Sequence, residues 1–222
     1  MNIVFEGIDG VGKTTIINQM KKDLEGKGEL VRYIDEISQN SPISEVLEKM
    51  LSSDPFFSLK TNFLTSIFES LLLAADMHYR QEKYKYNDGY NLYDRDFLSI
   101  LSYQRELLKK DYKDYEKFYL PFKECVMYNL KPIDLIVYVQ APIETSINRV
   151  QIRDGINFDE SQIEFLRTLK FQLENELLPE VQQKHDINIL RLDGSRPVID
   201  NIGKIYKMVG IEYDEKDTDI TR

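Results

Sequence analysis

The segment Phe5-Glu6-Gly7-Ile8-Asp9-Gly10-Val11-Gly12-Lys13-Thr14-Thr15 constrains the fold more tightly than any other part of the chain. Glycine, four residues, then Gly-Lys-Ser/Thr is the phosphate-loop pattern; the apolar run Ile3-Val4-Phe5 leads into it, and a helical pattern follows from Thr15. That strand–loop–helix context is what makes a phosphate cradle. Backbone N–H groups in a glycine-permitted turn point at phosphate oxygens, and the helix N-terminus adds partial positive charge. The residues expected to hold a nucleoside triphosphate are Gly7, Asp9, Gly10, Val11, Gly12, Lys13, Thr14 and Thr15. Lys13 would bridge the terminal phosphates, and the Thr14 hydroxyl would coordinate Mg2+. An anion beside a triphosphate repels it, so Asp9 is expected to face a sugar hydroxyl or water-bound Mg2+. An Asx-type turn contact within the loop is the structural alternative.

Beyond the loop, helical and extended signals alternate, the mark of a parallel sheet flanked by helices. Ile17, Met20 and Leu24 line the first helix, which Gly26 and Gly28 should end. Leu30 to Ile34 reads as strand two, Asn91-Leu92-Tyr93 as strand three, Asp134 to Val139 as a fully buried strand, and Ile187 to Leu192 as strand five. Ser41-Pro42 looks like a helix cap with proline at the first helical position, and a long apolar helix is expected from Leu59 to about Arg80. Pro142 should open a helix carrying Ile143, Ile147 and Val150. Another is expected from about Asp159 to Gln183, with Pro179 kinking or ending it. The expected fold is therefore α/β, of the phosphate-loop NTPase type: a doubly wound five-stranded parallel sheet with helices on both faces and a small lid. Residues 1–222 should form one such domain, with the lid at about 149–160 and a mobile, mixed-charge tail at about 212–222.

Composition narrows the function classes. With Cys125 as the only cysteine and only His78 and His185, an intrachain disulfide, a cysteine zinc site and a multi-histidine metal centre are excluded. A formal charge of −9 argues against binding a nucleic-acid polymer. No apolar run is long enough for a membrane span, and the early start of strand one leaves no room for a leader, so a cytoplasmic location is expected.

Two groups of residues could do chemistry beside the loop. Asp94 and Arg95 stand where strand three should meet the cleft; the carboxylate could hold Mg2+ through water, and the arginine could grip an anionic acceptor bidentately. A surface ion pair is the alternative. Arg149 and Arg153 share a helix face just before Gly155, as a lid that closes over phosphates would require; a solvated basic face is the alternative.

These residues resemble those of the thymidylate kinase family. Phe5-Glu6-Gly7-Ile8-Asp9-Gly10 with Val11-Gly12-Lys13-Thr14-Thr15 is similar to its first signature; Asp94-Arg95-Asp96 with Ser99 and Tyr103-Gln104 is similar to its second. Arg149, Arg153 and Asp159-Glu160 resemble its lid, and Phe165-Leu166 and Leu192-Asp193-Gly194 also match. The resemblance implies transfer of the ATP γ-phosphoryl group to a deoxynucleoside monophosphate, dTMP first, with Mg2+ held at Thr14 and Asp94. Lys13, Arg95, Arg149 and Arg153 would be the catalytic residues. Arg95 would hold the acceptor phosphate, Tyr103 would lie against the deoxyribose, and Asp9, Ser99 and Gln104 would complete the acceptor site. Arg196, in the Ser195-Arg196-Pro197 loop, would border the adenine. A homodimer through helix packing is implied as well. Where the family has a base-stacking aromatic and, four residues later, an arginine, this chain has Leu73 and Met77. Tyr33-Ile34-Asp35-Glu36 replaces the family's Arg-Glu-Pro, and Asp96 its tyrosine or histidine.

A deoxynucleoside kinase is the nearest rival. It must deprotonate a 5′-hydroxyl, a task Glu36 at the end of strand two could perform. A monophosphate is already ionised and needs cations, which favours Arg95. A non-catalytic nucleotide-binding effector is the second rival, weighed against by the joint presence of Arg95 and both lid arginines.

Overall fold

Strand β1 (Asn2–Glu6) is the middle of a five-stranded, all-parallel sheet ordered β2-β3-β1-β4-β5. Its neighbours are β2 (Val31–Ile34), β3 (Tyr90–Asp94), β4 (Leu135–Gln140) and β5 (Asn188–Asp193). β1 and β4 are nearly continuous apolar runs, and their side chains are buried on both faces of the sheet. This computed structural model describes residues 1–53, 66–84, 88–128, 130 and 132–212, with the side chains of residues 50–53 outside the description.

The helices are α1 (Lys13–Gly26), α2 (Ser44–Ser53), α3 (Ser66–Tyr84), α4 (Phe97–Asp111) and α5 (Glu116–Tyr128). They continue with α6 (Ile143–Asp154), α7 (Glu160–Gln172), α8 (Leu178–Lys184) and α9 (Val198–Val209). α1 packs against α9 and the first strands, while α4 is surrounded by α3, α5 and α7. The sheet order turns back beside β1, and ligands in such sheets bind beyond the carboxyl ends of the strands at that point.

Three sequence expectations change. Pro42 does not open α2: Ser44 N donates to Ser41 O at 3.1 Å, so a turn intervenes and the helix begins at Ser44. Pro179 does not end its helix either. A π-helical stretch, Leu173–Leu177, joins α7 to α8, and Pro179 falls in the first turn of α8, where its missing N–H is least costly. α4 and α5 had no counterpart in the sequence reading; α5 carries Pro121 inside it. The expected start of the long helix at Leu59 and nearly all of the expected tail lie outside the described residues.

Candidate active site

The site starts with the turn after β1. Gly10 has φ +77°, and a Cβ there would stand 2.2 Å from the Ser146 carbonyl oxygen, so only glycine lets the loop lie against α6. The loop then enters α1, whose first residues, Lys13 and Thr14, are held at its positive end. Lys13 is buried, and its Nζ donates to the carbonyls of Gly7 at 2.9 Å and Ile8 at 3.1 Å. Burial and the nearby Arg95 guanidinium lower its pKa. Thr14 Oγ1 donates to Asp94 Oδ2 at 2.7 Å, and the Tyr33 hydroxyl donates to the same oxygen at 3.1 Å.

Arg95 follows β3 in a left-handed conformation, φ 67°, the single non-glycine residue with positive φ among those described. That turn sends its buried side chain back toward the loop. Nη2 donates to Asp9 Oδ1 at 2.6 Å, Nη1 donates to Ser99 Oγ at 3.2 Å, and Nε lies 3.4 Å from Glu36 Oε2. The Tyr103 hydroxyl donates to the other Asp9 oxygen at 2.8 Å. Burial alone would raise the Asp9 carboxyl; Arg95, Lys13 and the Tyr103 hydroxyl outweigh it and hold the pKa at about 2.

Behind this network lies Glu6, a fully buried carboxylate at the end of β1. It accepts from Asp96 N at 3.0 Å, Ser99 N at 3.3 Å and Ser99 Oγ at 2.5 Å. Glu6 therefore caps the start of α4, the task an N-cap side chain normally performs, and Asp96 at the N-cap makes no such bond. Burial raises the Glu6 pKa against the pull of Ser99 and Arg95.

Two cavities meet at Glu36 and Arg95. The larger, about 540 Å3, is the phosphate cleft, lined by the loop, Lys13, Thr14, Thr15, Asp94, Arg149 and Arg153. The smaller, about 20 Å3, lies between α3 and α4 and is lined by Leu73, Arg80, Asp96, Ser99, Tyr103 and Gln104. Arg149 Nη1 reaches the carbonyls of Gly10, Val11 and Gly194, tying the loop to the β5–α9 turn. The Arg153 side chain is 62% exposed and forks onto Asp154 at 2.7 Å.

The structure thus brings Gly10, Gly12, Lys13, Thr14, Thr15, Asp9, Asp94, Arg95, Arg149 and Arg153 around one cleft. Gly7 and Val11 sit behind it, buried against Val139 and Gly194. Leu73, Ser99, Tyr103 and Gln104 reach the smaller cavity, though Gln104 is engaged by Ser70 Oγ at 2.8 Å and Glu69 Oε1 at 2.8 Å. Met77 is fully buried and lines neither cavity; one turn on, Arg80 takes the position facing inward. Arg196 also lines neither, and its exposed side chain lies 3.8 Å from Asp193. Glu6, Tyr33 and Arg80 had no assigned role from sequence. A buried acid on an otherwise apolar strand was the signal for Glu6; nothing local marked the other two.

The donor set at Thr14 and Asp94, a hydroxyl beside a carboxylate at the mouth of the phosphate loop, suits a magnesium ion that keeps most of its ligands from water and phosphate. Among the described residues no cluster of three or more His, Cys, Asp or Glu forms an all-protein metal cage, and no helix is long and apolar enough to cross a membrane.

The family profile described as thymidylate kinase matches residues 5–204. A probable thymidylate kinase of Methanobrevibacter smithii is 29% identical over 160 residues, which are 72% of this chain and 74% of that protein. Probable thymidylate kinase 1 of Saccharolobus solfataricus is 29% identical over 161 residues, 71% of this chain and 74% of that one. The structure of deoxyadenosine kinase from M. mycoides with bound dATP overlays with a TM-score of 0.61, covering 95% of this chain and 100% of that one. At 19% identity it shares the fold. A phosphate loop facing an aspartate–arginine strand end, within a match over nearly the whole chain, makes this protein a phosphotransferase and a member of the thymidylate kinase family.

Proposed function

We propose that the protein transfers the γ-phosphoryl group of ATP to dTMP, giving dTDP and ADP. The observation that carries this reading is the placement of Arg95 at the junction of the two cavities. An acceptor nucleoside in the smaller cavity would put its phosphate at Arg95, facing the triphosphate on the loop. A monophosphate is already an anion, so the acceptor side needs cations rather than a base, and transfer is a matter of in-line positioning and charge neutralisation. Lys13 would exchange its bonds to Gly7 and Ile8 for bonds to the migrating phosphoryl oxygens. Arg95 would exchange Asp9 and Glu36 for the acceptor phosphate, and Tyr103 with Asp9 would border the sugar. Thr14 and Asp94 would hold Mg2+, which when bound neutralises the β- and γ-phosphate oxygens.

The segment 149–160 would serve as the lid. Arg149 is already anchored to the loop, and Arg153 needs only to leave its exposed partner Asp154 to reach the phosphates. A cytoplasmic location accords with this use of small nucleotides. Two copies would pair through the outward face of α3, where Phe68 and Leu71 are 46% and 51% exposed. A Leu71→Glu chain should then sediment as a monomer; a wild type already monomeric at micromolar concentration would refute the pairing.

One observation keeps a second acceptor class in view. Glu36 borders both cavities and pairs with Arg95, as a base for a nucleoside 5′-hydroxyl would. Substitution of Lys13 tests the main reading. Lys13→Ala should lower kcat by at least about 1000-fold while leaving the fold intact, because no other loop group can follow the moving charge. A folded Lys13→Ala enzyme with near-normal turnover would overturn it.

A further inference from the structure

Arg80 is held by two hydrogen bonds within the described residues. Its Nε donates to Asp76 Oδ2 at 3.2 Å and its Nη1 to the Asp35 carbonyl at 3.1 Å, and Asp76 is itself held by Ser38 N at 3.0 Å. Nη2 makes no hydrogen bond; Asp96 Oδ1, at 3.8 Å, is its nearest ionic partner. Asp96 is equally constrained. Gln81 Nε2 donates to its Oδ2 at 2.9 Å, and Oδ1 has no hydrogen-bond partner although the residue is only 2% exposed. Because Glu6 caps α4, the Asp96 carboxylate is released from the cap it would otherwise form. The result is one unused donor and one unused acceptor, side by side, on two residues that line the smaller cavity. Asp76 Oδ1 and Gln81 Oε1 in the same network also lack partners, but neither residue lines either cavity; among the described residues of this network, the Arg80–Asp96 pair is the one set where an incoming ligand could reach it.

We propose that Arg80 and Asp96 read the edge of the acceptor base, Arg80 Nη2 donating to a ring carbonyl and Asp96 Oδ1 accepting from the adjacent ring N–H. The chemistry selected is a lactam edge, the O4 and N3–H of thymine, and the pair stands in for the recognition that Leu73 and Met77 cannot supply. Leu73 contributes an apolar wall, and Met77 belongs to the core. The cavity is narrow, so a base must widen it on entry, and the two orphan atoms are satisfied only when the correct edge arrives. Recognition of this kind rejects an edge of the wrong polarity far more strongly than one of the wrong size.

This rests on the thymidylate reading above. The experiment uses the full chain and two acceptors of the same shape, dTMP and 5-methyl-dCMP, which exchange donor and acceptor at positions 3 and 4 of the ring. The wild type should favour dTMP by about 100-fold or more in kcat/KM. Asp96→Asn keeps the bond to Gln81 only with its amide oxygen toward Gln81 Nε2, which turns its NH2 donor to the base edge in place of an acceptor; it should shrink that preference at least about tenfold while the KM for ATP stays unchanged. Arg80→Lys keeps the positive charge beside Asp76 and Asp96 and is the second arm: it should raise the KM for dTMP more than it lowers kcat. An unchanged preference in Asp96→Asn, or a wild type that treats both acceptors alike, would overturn the pair's role. A wild type that phosphorylates no pyrimidine monophosphate would overturn the thymidylate reading itself, a different failure.

Discussion

At the residue scale, the strained backbone of Arg95 aims its side chain into the cleft. A left-handed φ in an arginine costs about 1–3 kcal/mol, a cost tolerated where the side chain must reach a particular place. That place is between Asp9 and Glu36, two carboxylates that the acceptor phosphate would replace in the function we propose. Asp9 gives a pH test. Its folded pKa, about 2, is below the ordinary unfolded value, so its contribution to stability is fully present above pH ~4 and is lost as pH falls toward 2. Urea unfolding of the wild type and Asp9→Asn should therefore differ by a constant amount, about 2 kcal/mol, from pH 8 to 5, and by progressively less from pH 4 down. A difference that grew on acidification would refute the Asp9–Arg95 linkage. The phosphate-loop residues and Arg95 were legible in the sequence because a contiguous motif and a strand end fix them. Arg80 and Asp96 were not, because their pairing depends on α3 crossing α4, and no local pattern encodes that register.

At the scale of elements, the short linkage from β1 to α4 through Glu6 fixes the start of α4 beside Arg95. The carboxylate takes two amide protons and a hydroxyl at the start of α4, and so fixes Ser99, which in turn accepts from Arg95. Glu6→Ala should cost about 2–4 kcal/mol by stranding buried amides, and Glu6→Gln should recover more than half by keeping one acceptor oxygen. Thermal unfolding would measure this; a Glu6→Ala variant as stable as the wild type would show that the cap does not matter. The central strands were legible because their apolar runs are unambiguous. α2 and the α7–α8 helix were misjudged at proline. A turn separates Pro42 from Ser44, and a π-helical stretch carries the chain past Pro179, so each backbone resolved the proline in a way its neighbours do not announce. Between Tyr112 and Pro121 the interspersed tyrosines, lysines, Asp114 and Glu116 hide α5 in the same way.

For the whole molecule, the sheet sets Arg95 between a broad cleft of about 540 Å3 over the phosphate loop and a narrow one of about 20 Å3 between α3 and α4, in a chain of net charge −9. The cations are gathered in the cleft, as an acidic enzyme of anionic substrates requires. The most direct measurement is 31P NMR of purified protein with ATP, Mg2+ and each of dTMP, thymidine, dAMP and deoxyadenosine in turn. Formation of dTDP and ADP from dTMP, well ahead of any other acceptor, is the expected result. Phosphorylation of nucleosides in preference to monophosphates, or ATP left intact with all four, would contradict it.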